Sequence, residues 1–195
     1  LLTVPAYNKP TQQGLIDHFN KIADSVKIPG ILYNVPGRTS LNMTAETTLT
    51  LSSHQNIVGI KEASSDLGQI TSIISESSGT DFRVWSGNDD ETFSIMALGG
   101  FGVVSVASNI IGVQIKRMIG SILEGSIESA ADQHKKLLPL FQGLFWITNP
   151  ILIKRALNLS GFEVGGLRLP MKDSDELSED FSQMLSNYDI DVTNI

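Results

Sequence analysis

Lys61 is the residue of this sequence whose position most clearly suggests covalent chemistry. It follows the apolar run from Ile57 to Ile60, which predicts a buried strand with an amine at its end. Burial disfavours the charged form of an amine, and a neutral amine is the form that attacks a carbonyl compound to give an imine. The alternative interpretation is that Lys61 extends into solvent or pairs with Glu62.

Two tyrosines and an arginine fall at or beyond the ends of other predicted strands. Tyr7 follows the first strand and Tyr33 ends the second. A phenol beside an imine-forming amine can shuttle protons, although either ring could simply cover the mouth of a site. Arg38 lies in a Pro-Gly turn after Tyr33, where a guanidinium suits bidentate binding of a carboxylate or is merely a solvated loop charge.

The elements that must position these residues alternate between short apolar strands and amphipathic helices. After a first strand that ends near Pro5, we predict strands at Gly30 to Tyr33, Ile57 to Ile60, Phe82 to Trp85 and Gly102 to Val106. Helices with a period of three to four residues separate them, and the first is predicted to begin at an N-cap, Thr11. Strands that are apolar on both faces and flanked by helices indicate a parallel sheet.

The alternation predicts an α/β fold of the TIM (β/α)8 barrel type, with only the last five βα units present. We expect residues 1–125 to form the C-terminal part of the barrel and residues 126–195 to form a helical extension, so the chain looks N-terminally incomplete. A doubly wound sheet is the alternative, but its phosphate-binding loop needs glycines, and the loop from Pro5 to Pro10 has none. Five strands leave open edges, so we expect no stable isolated monomer.

Three further motifs have structural interpretations. Asp89 or Asp90 is predicted to cap a helix, and Asn149 is predicted to cap a helix whose first turn holds Pro150. The glycine cluster from Gly99 to Gly102 precedes a strand, which favours a tight turn at the bottom of a barrel over phosphate binding.

The composition argues against several classes of function. The 195 residues include 21 acidic and 14 basic side chains, for a net charge of −7, and no basic run that would favour nucleic acid. No apolar stretch reaches the roughly 20 residues of a membrane span and no signal-peptide pattern opens the chain, so we expect a cytoplasmic location. The sequence has no cysteine, and its three histidines are far apart, which argues against a zinc site.

Five segments together resemble successive signatures of the dihydrodipicolinate synthase family. They occur in the family's order and spacing between Leu1 and Met171, and the strings YNVPGRT and GIKEA are specific in combination. The segments are Val4 to Pro10, Tyr33 to Thr39, Gly59 to Ala63, Ser86 to Asp89 and Gly99 to Val103.

The resemblance implies a lyase reaction. Lys61 would condense with pyruvate to an imine, and the derived enamine would attack the aldehyde of L-aspartate 4-semialdehyde. The product would be 4-hydroxy-tetrahydrodipicolinate, on the route to lysine and diaminopimelate. No metal or organic cofactor is implied, because the imine is the electron sink.

The resemblance also assigns roles to the other site residues. Tyr33 would relay protons, and Tyr7 would reach into the active site of a neighbouring subunit, so that a full-length protein would be a homotetramer built as a dimer of dimers. The residues implied in substrate binding are Arg38, Val103 and Gly87.

One departure from the family keeps alternatives open. The family's proton relay includes a threonine in a GTTGE segment, and this string does not occur here. A non-catalytic, truncated barrel fragment is therefore an alternative. Sibling pyruvate aldolases of the N-acetylneuraminate lyase or ketodeoxygluconate aldolase type are another, although Arg38 suits an acidic second substrate better than a sugar acid.

Overall fold

The computed structural model describes residues 1–173 and 178–192 as short strands alternating with helices, followed by helices alone. The strands are β1 (Leu2–Thr3), β2 (Gly30–Asn34), β3 (Ile57–Glu62), β4 (Arg83–Ser86) and β5 (Gly102–Val103). The helices are α1 (Gln12–Ser25), α2 (Pro36–Thr39), α3 (Ala45–Ser52), α4 (Leu67–Glu76), α5 (Thr92–Ala97), α6 (Ser108–Leu123), α7 (Ile127–Gly143), α8 (Ile151–Leu159) and α9 (Ser178–Leu185). A 3-10 turn, Asp89–Glu91, precedes α5.

The five strands form one parallel sheet in the order in which they occur along the chain, β1-β2-β3-β4-β5. A doubly wound sheet reverses its strand order at a switch point, whereas consecutive strands of a (β/α)8 barrel stay adjacent. The observed order therefore agrees with the predicted barrel and not with the doubly wound alternative.

Helices α1, α3 and α4 cover one face of this sheet. Leu32, Ile60 and Val84 from three neighbouring strands are buried in one apolar cluster with residues of α1 and α4. The helical members of the cluster include Leu15, Phe19, Ala23, Ile70 and Ile73. Burial of this face fixes which side chains of each strand point toward the helices, and the alternate residues point to the other face.

Helix starts follow the sequence prediction in part. The Thr11 hydroxyl accepts a hydrogen bond from the Gly14 N–H at 3.1 Å, which confirms the N-cap of α1. The prediction for the aspartates was wrong, because Glu91 holds the N-cap position of α5, while Asp89 and Asp90 lie inside the 3-10 turn, whose own N-cap position is Asn88. At α8 the N-cap position is held by Pro150 itself, so this proline does not lie in the first turn as predicted.

The strand ends also differ from prediction. Lys61 lies within β3, which continues to Glu62, because both residues keep pairing with β4. Strand β5 ends at Val103, three residues before the predicted end, since Val103 is the last residue that pairs with β4. Within the predicted helical extension, residues 174–177 and 193–195 lie outside the described residues.

The described chain forms two compact units, Leu1–Val104 and Ser105–Ile195. The second unit consists of α6 to α9, with Phe141, Leu152 and Phe181 among its fully buried or nearly buried side chains. The boundary predicted from the sequence lies later, at residue 125, because α6 was assigned to the barrel as the helix of its last βα unit. That assignment follows chain topology and stays a prediction.

A search of the described residues finds no helix that combines the length and the hydropathy required to traverse a bilayer.

Gly59 tests the close approach of β3 and β4. A Cβ at this position would meet the carbonyl oxygen of Arg83 and the ring of Trp85, and a backbone oxygen within a ladder cannot move aside. Gly59→Ala should therefore lower the free energy of unfolding by about 1–3 kcal/mol. Urea unfolding followed by circular dichroism measures the change.

Gly37→Ala is the matched control, because a Cβ there would meet nothing within 4 Å. We expect this variant to have an unchanged free energy of unfolding or one raised by up to about 1 kcal/mol, because alanine favours a helix more than glycine does. Equal stability of the two variants would contradict the close approach of the strands.

Candidate active site

The carboxyl ends of β2 and β3 bring a lysine and a tyrosine together. Tyr33 and Lys61 are directly paired in the parallel register, so their side chains leave the sheet on the same face. The Lys61 Nζ atom lies over the Tyr33 ring, 4.2 Å from its centroid. The structure thus joins two of the three predicted catalytic residues, one able to form an imine and one able to move a proton.

Gly87 lets the chain after β4 approach this lysine closely. Its N–H donates to the Glu62 carbonyl oxygen at 2.6 Å, and a Cβ on Gly87 would lie 3.1 Å from the Lys61 Cε atom and 2.7 Å from the Ala63 Cβ atom. Any larger residue would press against the lysine side chain. The lack of a side chain at Gly87 therefore leaves space beside the Lys61 stem.

The environment of Lys61 favours its neutral form. Burial lowers the pKa of the Lys61 amine below its ordinary value, the nearby Asp89 carboxylate opposes this by raising the pKa, and the Arg38 guanidinium lowers it further. Burial is the largest of these effects. A larger fraction of neutral amine is thus present near neutral pH than on a free lysine, as imine formation requires.

The same surroundings keep Tyr33 protonated. Burial raises the pKa of the Tyr33 phenol, and the positive charge of Arg38 opposes this by lowering it. A protonated phenol can donate a proton to a leaving hydroxyl and accept one back. Tyr33 is therefore available as an acid beside an amine that is available as a nucleophile.

The opposite face of the same two strands carries a buried polar cluster. Asn34 and Glu62 are fully buried and are also paired in register. The Asn34 Nδ2 atom donates to Glu62 Oε1 at 2.7 Å, Gln69 Nε2 donates to the same oxygen at 3.3 Å, and the Ser64 N–H donates to Oε2 at 3.2 Å. The Ser64 hydroxyl also bonds Oε2. Burial raises the pKa of the Glu62 carboxyl, and these hydrogen bonds oppose the shift.

The remaining predicted site residues lie around this pair at different depths. Val103 ends β5, paired with Ser86, and is half-buried. Arg38 is an exposed residue of α2, and its charge acts on both Lys61 and Tyr33. Tyr7 is 92% exposed, on a left-handed backbone with φ 72°, so its ring contacts solvent instead of the lysine.

Two carboxylates have surroundings that the sequence did not predict. Asp89 was interpreted as a helix cap, but it is buried and its charge acts on Lys61. Glu62 was considered only as a salt-bridge partner of Lys61, but its carboxylate is held on the other face of the sheet. The alternation of side chains along a strand was the signal for Glu62, since neighbours in a strand face opposite ways.

Within residues 1–173 and 178–192, no three His, Asp or Glu side chains are grouped so that they could hold a metal ion. The candidate site is therefore described by its lysine, its tyrosine and the charges around them.

Comparison with known sequences finds close relatives across nearly the whole chain. The model of the Dihydrodipicolinate synthetase family matches residues 1–187. A 4-hydroxy-tetrahydrodipicolinate synthase of Dehalococcoides mccartyi is 53% identical over 193 residues, which cover 98% of this chain and 65% of the relative. A protein of the same name from a Thermoanaerobacter species is 51% identical over 190 residues, 96% of this chain and 64% of the relative.

Solved structures give the same result. Dihydrodipicolinate synthase of Thermotoga maritima aligns with a TM-score of 0.89 and 42% identity, over 95% of this chain and 63% of that one. The enzyme of Aquifex aeolicus aligns with a TM-score of 0.91 and 40% identity, over 95% and 64% of the two chains. With the strand order, this confirms the predicted α/β fold of the (β/α)8 type. The chain spans slightly less than two thirds of the length of these relatives.

Asp89→Asn tests the electrostatics around Lys61. The Asp89 carboxylate stabilises the ammonium form, so its removal should lower the pKa of Lys61 still further. The pH dependence of Lys61 acetylation by acetic anhydride, mapped by peptide mass spectrometry, measures this pKa. Arg38→Gln should change the pKa in the opposite direction, because a neighbouring positive charge is lost.

Asp90→Asn is the matched control, since Asp90 is adjacent in sequence but exposed. We expect it to leave the pKa of Lys61 unchanged. A raised pKa in Asp89→Asn would show that the charge of Asp89 is not what acts on the amine.

Proposed function

This chain belongs to the dihydrodipicolinate synthetase family, and from that premise we propose that it carries the imine-forming site of a lyase that condenses pyruvate with L-aspartate 4-semialdehyde. The observation that carries the proposal is the Lys61 amine, partly desolvated and held 4.2 Å above the Tyr33 ring. The product is 4-hydroxy-tetrahydrodipicolinate, which makes the protein part of lysine and diaminopimelate biosynthesis.

The first half of the proposed reaction activates pyruvate. The neutral Lys61 amine attacks the keto carbon, and a proton delivered to the oxygen allows the carbinolamine to lose water as the imine forms. Tyr33, whose ring lies 4.2 Å from the Lys61 Nζ atom, supplies this proton in the proposal, and its raised pKa keeps the phenol protonated until then. The Tyr33 phenolate left by that step takes a methyl proton from the imine, which gives the enamine and restores the phenol.

The second half joins the two substrates. The enamine carbon attacks the aldehyde of L-aspartate 4-semialdehyde and forms the new carbon–carbon bond. The amino group of that substrate then attacks the imine carbon, which closes the ring and releases the Lys61 amine. The protonated imine accepts the electron pair throughout, so the proposal includes no metal and no organic cofactor.

Substrate binding is proposed for the other residues of the site. The Arg38 guanidinium offers a bidentate partner for the carboxylate of the second substrate. Gly87 gives room beside the Lys61 stem, and Val103 at the end of β5 lines the same edge of the sheet.

Assembly and location are further proposals. An aromatic side chain that is 92% exposed, as Tyr7 is, suits a residue that enters the site of a neighbouring subunit, so we propose a homo-oligomer of the dimer-of-dimers type. One solved relative, 42% identical, is described as a monomeric dihydrodipicolinate synthase variant. The proposed location is the cytoplasm.

Borohydride trapping tests the imine. Incubation of the protein with pyruvate and borohydride should convert the Lys61 imine to a stable secondary amine, which intact mass and peptide mapping detect. Lys61→Arg should abolish the adduct, because a guanidinium does not form the imine. Lys116→Ala is the control, since this lysine is exposed on α6.

An adduct on another lysine would reject Lys61 as the imine-forming residue. No adduct on a folded sample would favour the non-catalytic alternative.

The second substrate is tested by comparing condensation with aldol cleavage. We expect condensation with L-aspartate 4-semialdehyde and no cleavage of N-acetylneuraminate or ketodeoxygluconate. Arg38→Ala should raise the KM for the semialdehyde by roughly 10-fold or more, since a hydrogen bond to a charged group contributes about 1.5–3 kcal/mol, while the KM for pyruvate changes little. Faster cleavage of a sugar acid than condensation would favour the sibling aldolases.

A further inference from the structure

The buried cluster behind the candidate site connects five segments of the chain. Glu62 is at the end of β3, and Asn34 at the end of β2 donates to it. Ser64 belongs to the loop after β3, and Gln69 belongs to the first turn of α4. The Asn34 Nδ2 atom also lies 2.8 Å from Asn42 Oδ1, in the loop before α3.

This cluster continues through the loop that follows β2. The Met43 N–H donates to Asn34 Oδ1 at 3.0 Å, and Gln69 Oε1 accepts from Asn42 Nδ2 at 2.8 Å. Gln12 of α1 donates to the Asn42 carbonyl oxygen at 2.9 Å. The segment that follows α2, the helix of Arg38, is therefore hydrogen-bonded to Asn34 at the end of β2 and, through Gln69, to Glu62 at the end of β3.

The Glu62 carboxylate is the centre of these contacts and needs to be an acceptor. The groups that meet it are the amides of Asn34 and Gln69 and both the N–H and the hydroxyl of Ser64. A fully buried carboxylate destabilises the fold unless its oxygens are hydrogen-bonded, so the loss of any of these donors costs free energy. Such a group holds its neighbours in one arrangement.

Strand geometry transmits that arrangement to the opposite face. Asn34 and Glu62 directly follow Tyr33 and Lys61, and the two pairs share one register. The Ala63 N–H donates to the Asn34 carbonyl oxygen at 2.9 Å, which closes the ladder beyond the pair. A change in the Asn34–Glu62 contact therefore changes the spacing of the residues that face the candidate site.

We propose that Glu62 is a positioning residue, which fixes the Lys61 amine against the Tyr33 ring from the opposite face of the sheet. The inference rests on the proposed function, since it concerns the same lysine and tyrosine. Glu62 acts through Asn34 and the backbone and does not touch the substrate.

Glu62→Gln separates positioning from a direct effect of charge. The amide keeps the size of the side chain, but its NH2 group must face one of the donors that now bind the carboxylate. Loosening of the strand ends would admit water to the Lys61 amine and raise its pKa toward the ordinary value, because burial is the main cause of its lowered pKa. Loss of a negative charge alone would lower the pKa instead.

Acetylation of Lys61 by acetic anhydride as a function of pH measures this pKa without any substrate. In parallel, the rate of pyruvate trapping with borohydride should fall by about 10- to 100-fold, as expected for a misplaced reactive group. Ser64→Ala removes the hydroxyl that bonds Glu62 Oε2 and accepts from the Asp66 N–H, but it keeps the backbone Ser64 N–H contact to Glu62. It should therefore give a smaller change in the same direction.

Thr48→Val is the matched control for stability. Thr48 is fully buried on α3, and its hydroxyl donates to the Thr44 carbonyl oxygen at 3.0 Å, a contact that does not involve Glu62, Asn34 or Ser64. Thr48→Val loses one buried hydrogen bond and so some stability. The pKa of Lys61 and the rate of pyruvate trapping should both stay as in the unchanged protein.

The outcomes separate this proposal from the proposed function. An unchanged or lowered pKa of Lys61 in Glu62→Gln, or an equal change in Thr48→Val, would overturn the positioning role. Failure of the unchanged protein to trap pyruvate would reject the proposed function, and the acetylation experiment would still decide whether Glu62 positions Lys61.

Discussion

The parallel register between β2 and β3 is the constraint on which the site depends. One alignment of these two strands places Tyr33 beside Lys61 on one face and Asn34 beside Glu62 on the other. Because side chains alternate along a strand, a slip by one residue would exchange the faces and put the lysine under the helices. The apolar cluster under α1, α3 and α4 prevents that slip, since it would expose Leu32 and Ile60.

Burial, more than the charges around the site, then sets the form in which each group is present. Burial lowers the pKa of the Lys61 amine and raises the pKa of the Tyr33 phenol, so both groups become more neutral. Asp89 and Arg38 act on Lys61 in opposite directions, so their charges partly cancel. Desolvation is thus the main cause of both pKa shifts, and it keeps the amine available as a nucleophile and the phenol available as an acid. Burial commonly shifts the pKa values of catalytic groups in this way.

Close approach of the backbone at two glycines makes this arrangement possible. Gly59 brings β3 against β4 at the level of Arg83 and Trp85, and Gly87 brings the chain after β4 against the stem of Lys61. Each glycine removes a side chain where two segments meet. The chain after β4 therefore passes directly beside the Lys61 stem, where only a glycine fits.

The sequence by itself determined the alternation of strands and helices, the parallel sheet, the family and the position of Lys61 near a strand end. These follow from local periodicity and from short strings such as GIKEA, which are visible without knowledge of contacts. Only the tertiary structure decided that Asp89 acts on Lys61 and that Glu62 is bound by Asn34, Ser64 and Gln69. The partners of a buried carboxylate are set by strand register and helix packing, which join residues far apart in the chain, so no local pattern specifies them.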